Sequence, residues 1–419
     1  VGSLSINPSD TETFKYDNNG NVIEQKTRSG ALVNSTYDKL NRLVGKTYPT
    51  ETANNITYSY DLLNRRTQSK LINGINTVDY VYDNAGRLNS TSSDGKTLSY
   101  QYDAANNRIK TTWPDTTFTV TTSYDALNRP SVIKENGTTN LASYAYDDLS
   151  RRTTVTLGNG TTTTSSYNAQ NQLSDLAHAL AGTAQDISYT YARNRLGDLT
   201  GETWSNDLYQ WGAPAASTVS YAKNGLNQYT TVGGLAQTHD TNGNLKTDGT
   251  GWTYTYDLNN RLKTAVKTGT GAVTANLNYD AEGRLRQTAI GSTTTDLLYD
   301  GTDLVAEYNG ATLARRYVHG PGIDEPLVWY EGAGTTAKNW IYTNHLGSVV
   351  ALANTTGTST ATYTYGPYGE PNTTTGNMRF RYTGQQLIPA LNLYYYKARF
   401  YSPTLGRFLQ TDPIGQKDD

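Results

Sequence analysis

Tyr37-Asp38-Lys39-Leu40-Asn41-Arg42-Leu43 is one statement of a phrase that this chain keeps repeating: an aromatic, Asp, two variable residues, Asn or Gly, then usually Arg and an aliphatic. It returns as Tyr60-Asp61-Leu62-Leu63-Asn64-Arg65 and as Tyr82-Asp83-Asn84-Ala85-Gly86-Arg87-Leu88. Further copies open at Tyr102-Asp103, Tyr124-Asp125, Tyr146-Asp147, Tyr256-Asp257 and Tyr279-Asp280, and a looser one at Tyr299-Asp300. From Tyr16 to Tyr167 successive tyrosines stand 21, 23, 22, 20, 22, 22 and 21 residues apart. Self-similarity at a fixed period marks stacked units that cannot bury their apolar faces alone.

The physics of one unit follows from its residues. Thr57-Tyr58-Ser59-Tyr60, Val78-Asp79-Tyr80-Val81-Tyr82 and Thr253-Tyr254-Thr255-Tyr256 alternate with period two, the signature of a strand. The Asp that follows can accept from backbone two residues on and open an Asx-type turn. Asn41, Asn64, Gly86, Asn128, Gly243, Asn260 and Gly283 then supply residue types that tolerate a positive φ. Arg42-Leu43, Arg87-Leu88, Arg261-Leu262 and Arg284-Leu285 begin the return strand, so each unit is a β-hairpin. Looser turns at Asn73-Gly74, Asp94-Gly95, Asn136-Gly137 and Asn159-Gly160 join one hairpin to the next. This leaves two strands of about 7–8 residues per unit, roughly 25 Å long. Sheets twist with one hand, and a row of hairpins coiled into a spiral can pair its own edges. The expected fold is all-β: tandem hairpins in a long spiralling sheet that forms a hollow shell or tube.

Composition agrees with a thin sheet. Of 419 residues 17% are charged and the net charge is −2, so no general pull on nucleic acid or an anionic membrane is expected. There is no Cys, hence no disulfide framework and no thiolate metal site. No apolar run reaches the ~18 residues of a membrane-spanning helix. The 34 Tyr against 5 Phe suit a wall in which each ring packs on its neighbours and each hydroxyl reaches water. The start at Val1 without Met is expected of a piece of a longer or processed protein.

The regularly spaced Asp residues read as architecture rather than as a catalytic dyad. Calcium is the rival for runs such as Asp17-Asn18-Asn19-Gly20-Asn21, but the closing bidentate Glu of an EF-hand is missing, so neither metal nor cofactor is expected. From Tyr167 the phrase degrades: Asn168 replaces Asp, and Tyr191-Ala192 and Tyr221-Ala222 lose the acid. Between them Thr203-Trp204 to Trp211-Gly212-Ala213-Pro214 exceeds one period, as an inserted loop, a binding patch or a corner of the spiral. His239-Asp240 restores the turn with His in the aromatic slot, while His178, His319 and His345 show no metal-type spacing.

After about residue 315 the texture changes, which divides the chain into a repeat region, 1–315, and a terminal region, 316–419. Arg315-Arg316-Tyr317-Val318-His319-Gly320-Pro321-Gly322-Ile323-Asp324-Glu325-Pro326-Leu327 leads to Tyr342-Thr343-Asn344-His345-Leu346-Gly347-Ser348 and Tyr363-Thr364-Tyr365-Gly366-Pro367-Tyr368-Gly369-Glu370. Leu393-Tyr394-Tyr395-Tyr396-Lys397-Ala398-Arg399-Phe400-Tyr401-Ser402-Pro403 and Leu405-Gly406-Arg407-Phe408-Leu409-Gln410-Thr411-Asp412-Pro413-Ile414-Gly415 close it. These motifs resemble the RHS repeat-associated core of the RHS/YD-repeat family, and the Tyr-Asp phrase resembles that family's YD repeat. The family includes bacterial polymorphic toxins and the C components of insecticidal Tc toxin complexes.

The resemblance implies a hollow β-spiral cocoon around a C-terminal toxin, with the core-associated region as a plug at one end. It also implies cleavage by a pair of aspartates just after that region. Asp412 matches the first Asp-Pro-x-Gly motif, and Arg399, thirteen residues earlier, matches the family's nearby arginine. An aspartic dyad needs a second carboxylate that shares a proton and helps to activate water. The second Asp-Pro-x-Gly is expected further downstream, and Asp418 and Asp419 do not supply it. Arg399 and Asp412 therefore stand between two readings, a structural ion pair or cap and one half of a self-cleaving site.

Three functions fit these residues. The first is a shell that encapsulates and delivers a toxin lying C-terminal to it, with a capping or secretion-system protein as partner. The second is a cell-surface or filament-forming recognition protein whose Trp204–Trp211 segment binds glycans or other cells. The third is a self-cleaving peptidase centred on Asp412, acting on no external substrate. All three place the protein outside the cell or on its surface through a bacterial export system. No Gly-x-Ser-x-Gly elbow and no phosphate loop is present.

Overall fold

The computed structural model of the protein describes residues 11–72, 74–212 and 218–412; Asn73, Pro214, Pro413, Ile414, Gly415, Asp418 and Asp419 lie outside them. Among the described residues there is no α-helix, and no helix is long and apolar enough to cross a membrane. Strands from Thr13 to Trp204 form one 18-stranded sheet, strands from Tyr221 to Ala236 a sheet of three, and strands from Thr238 to Thr362 a sheet of 13. Four short strands between Gln386 and Phe408 form the last. Within the two large sheets, strands adjacent in sequence pair antiparallel, as a train of hairpins requires.

The turn chemistry is the expected one, in finer detail. Asp38 N donates to Arg42 O (3.0 Å) and Asn41 N to Asp38 O (3.0 Å), closing the loop, with Asn41 at φ +59°. Asp38 Oδ1 accepts from Leu40 N (2.9 Å) and Arg42 N (3.0 Å), while Oδ2 meets Arg42 Nε at 2.7 Å and Nη2 at 2.6 Å. The same set recurs at Asp61/Arg65, Asp83/Arg87, Asp125/Arg129, Asp147/Arg151, Asp257/Arg261 and Asp280/Arg284. These hydrogen bonds hold the Asp38, Asp83, Asp125 and Asp147 carboxyls below the ordinary aspartate range, the Arg side chain being the largest cause.

Each turn is also tied to the next. The Arg42 guanidinium lies over the Tyr60 ring, 4.8 Å from its centroid, and Nη1 donates to Asn64 Oδ1 at 2.8 Å. Tyr60 Oη donates to Leu43 O of the preceding hairpin at 2.8 Å, and Tyr82, Tyr124, Tyr146, Tyr167, Tyr256 and Tyr279 make the equivalent bond. The expectation that the tyrosine hydroxyls reach water is thus corrected at these positions. They serve as links between hairpins, because the accepting carbonyl lies outside the ladder to the next hairpin: Leu43 precedes the first pair of that ladder, Gly45 with Thr57.

Three further expectations change. Most strands run five to seven residues rather than seven to eight, because pairing stops at Tyr37–Leu43 and the whole Asp38–Arg42 loop lies outside the ladder. The phrase does not degrade at Tyr167: Asn168 Oδ1 accepts from Gln170 N and Gln172 N as an Asp would. Asn194, Asn224, Asn344 and Asn354 form the same turn, so the aromatic slot belongs to Arg193 and Lys223, not to Tyr191 and Tyr221. Tyr299-Asp300, conversely, opens no such turn; Asp300 ends a strand and pairs with Arg108 at 2.8 Å.

The chain forms two compact units: residues 1–96, 215–297 and 395–419, and residues 97–214 and 298–394. In the first, the early hairpins pack against the strands of 238–297, with Tyr48 Oη donating to Asn259 Oδ1 (3.0 Å) and Arg66 pairing with Glu282 (3.0 Å). In the second, Trp340 Nε1 donates to Leu141 O (2.9 Å) and Lys338 Nζ pairs with Glu135 (2.8 Å). Val349–Ala353 is buried along its whole length. One side of the second unit's sheet packs in this way, and residues 378–385 contact it too: Phe380 packs edge-on to Tyr317, and Val349 N donates to Arg381 O. At this junction Glu307, fully buried, receives Arg379 Nε (2.8 Å) and Nη2 (2.6 Å), Arg315 Nη1 (3.2 Å) and Tyr317 Oη (2.5 Å). Burial works against the charged carboxylate, yet these partners win and bring its pKa down to about 2.

Candidate functional site

The terminal motif folds as a small hairpin. Phe400–Ser402 pairs with Arg407-Phe408, setting Tyr401 opposite Phe408 and Ser402 opposite Arg407, across a turn with Gly406 at φ +62°. Folding the chain back brings Arg399 to Asp412: Nη2 stands 2.7 Å from Asp412 Oδ2. The guanidinium also lies over the Phe408 ring, 3.9 Å from its centroid. The Asp412 carboxylate is 39% exposed, so this ion pair sits at a surface where water competes with it.

The hairpin is anchored to two repeat turns of its own unit. Leu245 N donates to Leu409 O (2.8 Å), Thr411 N to Asn244 Oδ1 (3.2 Å), and Asn260 Nδ2 to Thr411 Oγ1 (2.9 Å). Phe400 N donates to Gln410 Oε1 at 2.8 Å, which fixes the orientation of that buried amide. Asp412 is thereby held at the rim of a cavity of about 540 Å³, together with His239, Tyr229, Arg407 and Gln237. Among the described residues lining that cavity Asp412 is the one carboxylate, and the structure brings Arg399 and Asp412 together. His239 occupies the aromatic slot of the Asp240 turn, as its sequence position indicates, and burial and then Arg407 depress its pKa.

Neither His239 nor Tyr229 was legible as a companion of Asp412, since both are more than 150 residues away in sequence. Asp17, the acid of the candidate calcium run, spends Oδ1 on Asn19 N and Asn21 N and Oδ2 on Asn21 Nδ2, each at 2.9 Å. It is a turn residue like the others.

Residues 82–117, which carry the strands Leu88–Ser93, Lys96–Tyr102 and Arg108–Thr112, match the family model described as the RHS repeat. These residues are an RHS repeat. The tRNA3(Ser)-specific nuclease WapA of Bacillus spizizenii is 31% identical over 255 residues, which is 59% of this chain and 10% of that protein. The chain therefore spans about a tenth of that relative's length. The crystal structure of TcdB2-TccC3-TEV superposes with a TM-score of 0.73 at 14% identity, over 97% of this chain and 26% of the other. The Photorhabdus luminescens Tc holotoxin pore gives 0.55 at 13% identity, over 99% and 30%. At such identity the likeness is one of fold: antiparallel hairpins in long sheets, over nearly the whole chain.

Proposed function

We propose that this chain is part of a toxin-associated RHS shell, whose hairpins wall a lumen and whose region 316–419 plugs one end. The cargo is a toxin C-terminal to Asp412 in the same polypeptide, and the assembly is exported, with a capping or secretion-system protein as its partner. The observation that carries this reading is the fold likeness to the TccC3-containing structure over 97% of the chain, together with the RHS repeat match. The 31% identity to a WapA nuclease over 59% of this chain supports an association with a toxic activity.

Cleavage is the finer part of the proposal. Arg399 and Asp412 form one half of a self-cleaving aspartic site, the second carboxylate coming from downstream chain. In this role Arg399 positions the Asp412 carboxylate through the 2.7 Å contact and the stacked Phe408. Expression of the gene with its native downstream sequence tests it: the wild type should run as two fragments and Asp412→Asn as one. An uncut wild type removes the cleavage step. Electron microscopy of the same sample tests the shell separately, since particles without an internal cavity overturn it.

A further inference from the structure

The cavity beside Asp412 carries two half-satisfied amides on its wall, Gln237 and Gln410. Both are buried, with 7% and 5% of their area exposed. Gln237 Nε2 donates to Asp248 O at 2.6 Å, and its Oε1 meets no donor among the described residues. Gln410 is the reverse case: Oε1 accepts from Phe400 N at 2.8 Å, and Nε2 meets no acceptor among them. Neither amide can be turned over, because one partner is a carbonyl and the other a backbone N–H. One unmet acceptor and one unmet donor thus belong to the wall of a single cavity, and buried polar groups without partners are rare enough to need a reason.

Local structure fixes both amides and sets a cation beside them. Gln237 N donates to Thr230 O (2.9 Å), and Leu409, next to Gln410, is held through its carbonyl by Leu245 N (2.8 Å). Arg28 sits in the turn of residues 27–30, closed by Gly30 N on Thr27 O (2.9 Å) and tied by Ser29 N to Asn242 Oδ1 (3.0 Å). All of these residues belong to the first unit. Arg28 and Arg407 both line the cavity, and neither pairs with an acid among the described residues. Asp412, the one carboxylate there, is taken by Arg399, so the wall carries an excess of positive charge. Leu226, Leu245 and Leu409 supply its apolar part.

We propose that this cavity binds the carboxyl end of a polypeptide. An extended peptide end offers what the wall lacks: an amide N–H for Gln237 Oε1, a carbonyl for Gln410 Nε2 and a terminal carboxylate for Arg28. A fixed donor and a fixed acceptor select a peptide unit over a hydrocarbon, and an unpaired cation selects its end over its middle. An aliphatic side chain on the last residue packs against Leu226, Leu245 and Leu409. The volume of about 540 Å³ falls within the roughly 300–1,000 Å³ of ligand clefts. Two sources supply such an end: cleavage of this polypeptide, which rests on the cleavage proposed above, and the C-terminus of another protein.

The titration that tests this needs neither cleavage nor a lumen. The 419-residue chain is titrated by fluorescence anisotropy with a rhodamine-labelled peptide, glycyl-seryl-glycyl-alanyl-leucine, as the free acid and as the C-terminal amide. The free acid should bind, and amidation, Arg28→Gln and Gln410→Glu should each weaken binding by about tenfold or more, with circular dichroism unchanged. Gln410→Glu keeps an oxygen for Phe400 N and removes the donor. No binding above background, equal binding of the amide, or affinity unchanged in Arg28→Gln overturns the assignment. Arg28→Gln, at an exposed position, keeps the test decisive should Gln410→Glu fail to fold. The product of the gene with its native downstream sequence separates the sources. Loss of probe binding in the cleaved product assigns the site to the chain's own new end, and retained binding assigns it to another protein.

Discussion

Asp280 shows how much of one repeat a single side chain holds. Its carboxylate, with no exposed area, accepts from Glu282 N at 3.0 Å and Arg284 N at 2.9 Å through Oδ1, and meets Arg284 Nε at 2.8 Å and Nη2 at 2.7 Å through Oδ2. Asp280→Ala removes all four and leaves a largely buried guanidinium, so a loss of about 3 kcal/mol is expected from urea unfolding. Asp280→Asn retains the Oδ1 acceptor but turns an amide N–H₂ toward Arg284, a donor against donors. The chain contains its own remedy: at Asn168 the partner is Gln172, whose Oε1 accepts from Asn168 Nδ2 at 3.0 Å. Asp280→Asn with Arg284→Gln should therefore be more stable than Asp280→Asn alone, a coupling that a double-mutant cycle reads directly. A double variant no better than the single one would show that the turn depends on the ion pair itself. The turn was legible in sequence because every group it uses lies within five residues. That Asn serves where Asp is missing was not, since the eye follows the acid while the backbone requires only an acceptor.

At the scale of elements, hairpins stack as closely as their backbones allow. Gly158 N donates to Leu141 O at 2.9 Å, and a Cβ at position 158 would stand 1.9 Å from Asn140 O and 3.2 Å from Trp340 Cζ2. Gly158→Ala cannot be met by a side-chain rotation, because the obstacle is carbonyl backbone in the neighbouring strand. It should cost about 3 kcal/mol, seen as a lowered melting temperature. Gly95→Ala is the control, with φ +78° but nothing within 4 Å, and should cost only about 1 kcal/mol for its left-handed backbone. Equal losses would mean that backbone conformation, not close approach, explains Gly158. Asn159-Gly160 reads as a turn in sequence, but the requirement at Gly158 comes partly from Trp340, 182 positions later.

For the whole molecule, acid is the informative variable. His178 is buried, accepts at Nδ1 from Thr163 Oγ1 (2.9 Å) and donates from Nε2 to Thr343 O (3.0 Å), the neutral tautomer that both partners fit. Burial brings its pKa from 6.5 down to about 4. The unfolded chain therefore takes up this proton first as pH falls, so stability is full above 6.5, declines between 6.5 and 4, and loses no more from this group below 4. Glu307 acts lower: its carboxylate stabilises the fold above 4.5, and that contribution is lost as pH falls toward 2. Urea midpoints measured from pH 7.5 to 3.5 should fall in the wild type, and His178→Gln should flatten the upper part of the curve. The same slope in both proteins would assign the acid sensitivity elsewhere.

Local spacing alone determined the strands, the Asx turns with their positive-φ Asn and Gly, and the order of hairpins in the sheets, because each depends on contacts within one period. The pairing of Arg399 with Asp412 also lay within reach, thirteen residues apart across a short hairpin. Only the tertiary structure decided what each hairpin meets: Arg66 on Glu282 across 216 residues, His239 and Tyr229 beside Asp412, and Trp204, Trp211 and His345 around one cleft. The reason is physical. A repeat makes every unit locally alike, so period and turn chemistry carry no label that says which distant unit it will face. That choice is made by burial and charge pairing when the sheets pack.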